Sequence, residues 1–206
     1  HLQGTPSMAR MLTTNPDARA ALGQVRHLFI GGEALDAGLL DDLRAATGAS
    51  IHNMYGPTET TIWSTRFELS SDRDYDVSIP IGEPLNNTSL VLQDKFGNLL
   101  PYGLAGELFI GGKGLANGYL NRPALTAEKF VPDGYSSEPG ARLYATGDLA
   151  KYDDRENLVC LGRLDQQVKL RGFRIELGEI EAVIQKHNSV KQAVVQVFEI
   201  SASDTR

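Results

Sequence analysis

The chain has 206 residues, 41% hydrophobic and 22% charged, enough apolar material for a core and a length that fits one large domain or one and a fraction. A net charge of −6 and a pI near 5.2 argue against a nucleic-acid surface, which needs a basic face to displace counterions, and leave small molecules and proteins as partners. One cysteine, Cys160, excludes an internal disulfide and a multi-cysteine metal cluster and suits a reducing cytoplasm; there is no secretory signal or membrane-spanning apolar run.

The chain opens at "HLQGTPS" without a starting methionine and ends at "VVQVFEISASDTR", so a larger protein is expected on both sides. Residues 7 to 22 carry a helical pattern, with Ser7 as the N-cap and Met8, Met11 and Leu12 at i, i+3, i+4. "VRHLFIGGEAL" reads as a buried strand ending at Gly31 and Gly32. "DAGLLDDLRAAT" reads as a helix with Leu39, Leu40 and Leu43 on its apolar side and Gly48 as its C-cap signal. "SIHNMY" follows as a strand. This order is the βαβ unit of a parallel sheet, whose ligands bind at the carboxyl ends of strands; "GGE" at 31 to 33 and "YGPTE" at 55 to 59 sit at such ends.

From Thr61 to Leu164 short β runs alternate with Gly, Pro and Asn: "TTIWSTRFEL", "TSLVLQD", "GELFIGG", "RLYATGDLAKY" and "NLVCLGRLD". Their spacing predicts an antiparallel sheet or small barrel, with one helix near "ALTAEKF". "QQVKLRGFRI" reads as a hairpin turning at Gly172. "ELGEIEAVIQKH" reads as a helix with Leu177, Ile180, Ile184 and His187 on one face and acids early, as the helix dipole favours. "SVKQAVVQVF" reads as a strand. From Asp165 onward six basic residues balance six acidic ones, so the net charge lies in residues 1 to 164, and a boundary falls near Asp165. The fold class is α/β: a parallel βαβ portion (1–60), an antiparallel, barrel-like β-rich portion (61–164), then the start of a small α+β lobe (165–206).

In "NMYGPTET", residues 53 to 60, Glu59 lies among the hydroxyls of Thr58, Thr60 and Thr61. Hydroxyls and amides suit phosphate oxygens, and a carboxylate joins them when a cation such as Mg²⁺ lies between; a turn whose threonines cap backbone groups explains the stretch equally well. In "LYATGDL", Asp148 follows a glycine at the end of a β run, placed either to accept a ribose diol or to close an Asx turn. "GELFIGGKGLANGYLNRP" is glycine-rich, but Lys113 lacks the following Ser/Thr of a phosphate loop, so it reads as a bend between strands. Arg163, Lys169, Arg171 and Arg174 gather near the boundary, either as a solvated face or as an anion site.

Read in order, "NMYGPTET", "GELFIGGKGLANGYL", "YATGDL" and "GRLDQQVKLRGFRIELGEIE" resemble the successive core motifs of the adenylation domains of nonribosomal peptide synthetases, in the acyl-adenylate-forming superfamily. The resemblance covers nearly the whole chain. It implies activation of an amino acid by ATP to an aminoacyl-AMP, followed by transfer to the phosphopantetheine thiol of a peptidyl carrier domain, within an assembly of neighbouring synthetase domains. A related acyl- or aryl-CoA ligase and a non-catalytic nucleotide-binding or interaction module are the alternatives.

By position in the matched motifs, Asn53, Tyr55 and Gly56 resemble the nucleotide-binding segment, the first two as adenine contacts, with Gly32 lining the adenine cleft. Thr58 corresponds to a phosphate contact, Glu59 to the Mg²⁺ ligand, Asp148 to the holder of the ribose hydroxyls and Arg163 to a further nucleotide contact. Asp165 corresponds to the hinge of the small lobe and Gly172 to the loop shown to the pantetheine arm. Residues 1–164 then form the C-terminal part of the large core, and 165–206 the start of the small subdomain. Two positions depart from the family pattern: Cys160, where an aromatic residue often packs on the nucleotide, and Asn117, in place of an arginine. The family's phosphate loop, amine-binding aspartate and C-terminal lysine fall outside these residues, so the segment alone is expected to be inactive. The amino-acid pocket of similar domains falls on Gln3, Phe29, Gly31, Met54, Ile62 and Trp63. Phe29, Met54 and Trp63 fill the space a large side chain would need, and no acid or base pairs a charged one. That implies glycine, with alanine second, since packing rejects one methylene only about 10- to 200-fold.

Overall fold

In the computed structural model the first helix begins at Thr5, whose Oγ1 accepts the Met8 amide at 3.2 Å. Pro6 takes the first helical position, where a missing N–H goes unnoticed. The structure describes all residues except 71, 72, 74, 76 to 78, 166, 202, 203 and 206; Gln166 of the expected hairpin therefore lies outside the described residues. Strand β1 (Leu2–Gly4) precedes this helix, α1 (Pro6–Thr14). The single helix expected over 7 to 22 is two. A residue before proline is pushed out of the helical region, and Asn15 is extended at φ −90°, ψ 122°. Its side chain caps α2 (Pro16–Leu22) by accepting the Ala18 amide at 3.0 Å. Ser7 is not the N-cap; its amide and hydroxyl donate to Glu33.

β2 (His27–Gly31), α3 (Ala37–Ala46) and β3 (Ser50–Tyr55) form the βαβ unit, with β2 and β3 parallel from His27↔Ser50 to Gly31↔Met54. Asp36 caps α3 by accepting the Leu39 amide at 2.8 Å. The helix ends at an extended Thr47, whose Oγ1 accepts the Ala49 amide, so Gly48 is not the cap. β1 adds in parallel, while β4 (Thr65–Leu69) and β5 (Glu83–Pro84) add antiparallel, giving the order β1-β2-β3-β4-β5. The change of sheet therefore falls after Pro84 and not at residue 61, because the start of "TTIWSTRFEL" is spent on a bend.

Helices cover one face of this sheet. Leu28, Ile30 and Ile51 pack there with Ala9, Leu22, Leu39, Leu40 and Leu43. Strand alternation then puts Phe29, Gly31, His52 and Met54 on the opposite face.

The second sheet is antiparallel, in the order β10-β9-β7-β6: β6 (Thr88–Gln93), β7 (Gly106–Gly112), β9 (Arg142–Tyr152) and β10 (Leu158–Arg163). α4 (Pro123–Lys129) leads into β8 (Phe130–Pro132), which pairs with β9. Tyr55 and Ile81 pack with Leu92, Leu108, Ile110, Ala150 and Leu158 in a second core, which ties the end of β3 to this sheet.

Residues His1–Leu164 form one compact unit and Asp165–Arg206 another. In the latter, β11 (Gln167–Leu170) and β12 (Phe173–Glu176) form a hairpin. It turns through Arg171 and Gly172 at φ 52° and 80°, the left-handed pair that suits the twist of a two-residue turn. α5 (Leu177–Gln185) follows and ends before His187. "SVKQAVVQVF" is not a strand: a β run needs a ladder partner, and among the described residues the ladder resumes only with β13 (Glu199–Ser201) and β14 (Asp204–Thr205). No helix among the described residues is long and apolar enough to cross a membrane.

Candidate functional site

Asp148 does not end a β run. It lies inside β9, at a place where the ladder slips on both sides: pairing with β7 jumps between Glu107 and Phe109, and pairing with β10 between Cys160 and Gly162. Bulges of this kind re-aim side chains. Gly147, at φ 72°, supplies the left-handed backbone that L side chains resist, and its amide donates to Glu107 Oε1 at 3.0 Å. The Asx-turn role belongs instead to Asp153, which accepts the amides of Arg155 and Asn157.

So aimed, the buried Asp148 carboxylate (5% exposed) accepts from two side chains. The Tyr55 hydroxyl donates to Oδ2 at 2.5 Å, and Arg163 Nη1 donates to Oδ1 at 2.9 Å. Arg163 also donates to the Thr146 carbonyl at 3.1 Å, and Thr146 Oγ1 accepts the Asp148 amide at 3.0 Å. Burial, and then the Asp148 charge, push the Tyr55 phenol well above its ordinary range, so Tyr55 stays a donor at any physiological pH. Cys160 is half-buried against the same core. Three sequence candidates thus meet in one cluster. Tyr55 is only 8% exposed, so an adenine contact there would be made with a ring already packed in the core.

Glu59 lies in a single 3-10 turn, Thr58–Thr60, straight after β3. It is buried, at 7% exposure, while Thr58 is exposed. The Tyr119 hydroxyl donates to Glu59 Oε1 at 2.6 Å and lies 3.3 Å from the Tyr144 hydroxyl. Burial first, then those two hydrogen bonds, push the Tyr119 phenol far up. Asn53, one strand position before Met54, donates from Nδ2 to the Pro80 carbonyl at 2.8 Å. Gly56 is required by close approach: a Cβ there would meet the Ile62 carbonyl oxygen at 2.5 Å and the Ser64 nitrogen at 2.7 Å. The turn closes through Thr61 and Ile62, at φ 64° and 72°, two β-branched residues in the left-handed region.

Of the candidate pocket residues, Gln3, Phe29, Gly31 and Met54 share the face of the first sheet opposite the packed helices, and Trp63 joins them there. Gln3 pairs with Phe29 in register, and Gly31 with Met54. A Cβ on Gly31 would come within 2.3 Å of the Met54 carbonyl oxygen and 2.6 Å of the Trp63 ring, so Trp63 lies directly on Gly31. Phe29 stacks on His52 with ring centroids 4.8 Å apart. Ile62 is 56% exposed. Gly32, at φ 90°, follows β2 in the loop that Ser7 ties down through Glu33. A polar groove of about 520 Å³ lined by Arg66, Glu68, Glu83 and Asn86 contains none of the candidate residues. In the second unit, Asp165 Oδ1 accepts the Gln167 amide at 3.1 Å; Arg163 belongs to the first unit, while Lys169, Arg171 and Arg174 belong to the second.

The donor set bears on the metal. Among the described residues no three His, Cys, Asp or Glu side chains gather to hold an ion. Mg²⁺ does not require such a cage: it binds through one or two carboxylates plus substrate phosphates. The buried Glu59 carboxylate next to the exposed Thr58 fits that chemistry; the other two hydroxyls are engaged within the protein, Thr60 with the Pro57 carbonyl and the Ser64 hydroxyl and Thr61 with the Gly114 carbonyl. Sequence reasoning missed Tyr119, whose signal was a tyrosine in a bend: a part-buried phenol needs a hydrogen-bond partner.

Comparison with known proteins agrees with this fold. Residues 1–120 match the family model described as AMP-binding enzyme. The chain is 47% identical over 176 residues to gramicidin S synthase 2 of Brevibacillus brevis, covering 85% of this chain and 4% of that protein. Among solved structures, holo-PA1221, a nonribosomal peptide synthetase protein with adenylation and peptidyl carrier domains bound to a vinylsulfonamide inhibitor, superposes with a TM-score of 0.85. It is 33% identical over 95% of this chain and 34% of its own. The four-domain synthetase holo-AB3403, bound to AMP and glycine, gives 0.70 at 41% identity over 99% of this chain and 15% of its own. The chain therefore spans only a small part of the relatives it matches.

Proposed function

This chain belongs to the AMP-binding enzyme family, as a segment of a nonribosomal peptide synthetase adenylation domain, and we propose that it supplies the nucleotide-facing part of a site that activates glycine, with alanine second. Asp148 holds the ribose hydroxyls, with Tyr55 and Arg163 fixing its two oxygens. Asn53, Gly56, Gly32 and the rim of Tyr55 border the adenine. Thr58 donates to phosphate, and Glu59 is the ligand of Mg²⁺, which when bound would neutralise charge on the phosphates. The observation that carries this reading is the meeting of Tyr55 and Asp148 at 2.5 Å, on the same short segment that holds Glu59.

The reaction is a displacement at phosphorus. A carboxylate oxygen of the amino acid bonds to the α-phosphorus as the bond to the bridging oxygen of the β-phosphate breaks, and pyrophosphate leaves with that electron pair. The sulfur of the phosphopantetheine thiol of a peptidyl carrier domain then gives up its proton and attacks the acyl carbon, and AMP departs with the electron pair of the broken acyl carbon–oxygen bond as the thioester forms. Asp165 is the hinge for the second step, and neighbouring synthetase domains take the product onward.

What supports glycine is the floor of the pocket, where the Trp63 ring lies on Gly31 against Met54, with Phe29 on the same face. The glycine and AMP bound to holo-AB3403 support the same assignment. Amino-acid-dependent pyrophosphate exchange by a complete adenylation domain bearing these residues tests it. Glycine gives the highest kcat/KM and alanine the next; preference for a large or charged amino acid overturns the assignment.

A further inference from the structure

The glycine-rich stretch between β7 and α4 does more than bend the chain. Three of its residues are bonded to the turn that carries Glu59. The Thr61 hydroxyl donates to the Gly114 carbonyl at 2.7 Å, the Ala116 amide donates to the Glu59 carbonyl at 2.8 Å, and the Tyr119 hydroxyl donates to Glu59 Oε1 at 2.6 Å. The approach is close enough to exclude a side chain at Gly114, where a Cβ would lie 2.9 Å from the Thr60 carbonyl oxygen. Arg142 fastens the far side of the loop by donating to the carbonyls of Ala116 and Asn117.

Tyr119 is itself held from several directions. Its amide donates to Thr126 Oγ1 at 2.9 Å, and its ring meets Phe130 edge-on at 5.6 Å. Its hydroxyl lies 3.3 Å from that of Tyr144, whose ring also packs on Phe130. A phenol so fixed is a pre-set donor, and a carboxylate bonded to such a donor is held in orientation when a cation arrives. We propose that Tyr119 is a positioning residue for Glu59, with residues 113 to 119 acting as a clamp that presents the carboxylate to Mg²⁺·ATP. This rests on Glu59 being the metal ligand.

The test uses a complete adenylation domain bearing these residues and compares wild type with Glu59→Gln, Tyr119→Phe and Tyr144→Phe. Two quantities are read: the apparent Mg²⁺ constant of pyrophosphate exchange at saturating ATP, and Mn²⁺ affinity in the presence of a non-hydrolysable ATP analogue, by electron paramagnetic resonance. Removing an outer-shell partner of a metal ligand lowers metal affinity about 10- to 100-fold. Tyr119→Phe is expected to weaken both constants within that range, with a smaller change in kcat at saturating Mg²⁺, and Tyr144→Phe to weaken them less. Glu59→Gln is expected to weaken them most. Unchanged constants in Glu59→Gln overturn the metal assignment, and the clamp with it. Weakened constants in Glu59→Gln beside unchanged ones in Tyr119→Phe leave Glu59 as the ligand and overturn the role of Tyr119. A Tyr119→Phe protein that loses only melting temperature, or only kcat at every Mg²⁺ concentration, also overturns it.

Discussion

The Tyr55 hydroxyl bonds the Asp148 carboxylate across 93 residues of sequence, joining the end of a parallel strand to a bulge in the antiparallel sheet. Tyr55→Phe keeps the packed ring and removes the donor. A hydrogen bond to a charged group contributes about 1.5–3 kcal/mol, and Arg163 still holds the other oxygen. Urea denaturation is expected to show a loss near the lower end of that range. The KM for ATP is expected to rise roughly 10-fold, the counterpart of about 1.4 kcal/mol, with kcat changed less. An unaltered KM would mean that Tyr55 does not orient Asp148 for the ribose contact proposed above.

Trp63 and Gly31 make opposite predictions for the pocket. Trp63→Ala removes the ring from the glycine and is expected to admit valine or leucine in pyrophosphate exchange while weakening discrimination for glycine. Gly31→Ala forces a methyl against the Met54 carbonyl, which cannot yield as a flexible side chain would; overpacking of this kind costs about 1–3 kcal/mol. Retained glycine exchange in Gly31→Ala with no loss of melting temperature would contradict the packing described.

Gly56→Ala tests the turn rather than the pocket. The atoms its methyl would meet are backbone, in Ile62 and Ser64, so the turn carrying Glu59 must shift. A fall in melting temperature is expected, together with a weaker apparent Mg²⁺ constant. Crystallography of the variant with an unmoved Glu59 would refute this.

His52 sets an acid limit. It is 2% exposed, and its Nδ1 has no hydrogen-bond partner among the described residues. Burial depresses its pKa, Arg66 and His27 add to the effect, and Glu68 opposes it. The unfolded chain therefore takes up this proton first. The contribution to stability is complete above the unfolded value of about 6.5 and is lost as pH falls through the lower folded value. His52→Gln cannot titrate, so its denaturation midpoint is expected to fall less than wild type between pH 7 and 5. Parallel pH profiles would rule this out.

The βαβ unit and the runs of the second sheet were legible because alternation and helical period are local. The break at Asn15 was legible too, in Pro16, but the apolar spacing across it spoke for one helix. Asp148 misled for a different reason: "TGDL" carries turn residues, and only pairing with β7 and β10 turns them into bulges within a strand. Residues 189 to 198 have strand composition, yet a strand exists only where a neighbour offers a ladder. The same holds for the site. Glu59 and Asp148 stand out as candidates in their motifs, while the Tyr119 partner of Glu59 lies 60 residues away and shows locally only as a tyrosine in a bend.

Thr61 and Ile62 hold left-handed backbone angles that β-branched residues avoid, at a cost on the order of 1–3 kcal/mol each, and Ile62 is too exposed to recover it by burial. Heat resistance alone therefore favours other residues at these two positions. A laboratory lineage selected only for survival at high temperature is expected to acquire glycine or asparagine there. Because the same bend follows directly on the turn Thr58–Thr60 that holds Glu59, a domain so altered is expected to melt later while holding that carboxylate less firmly.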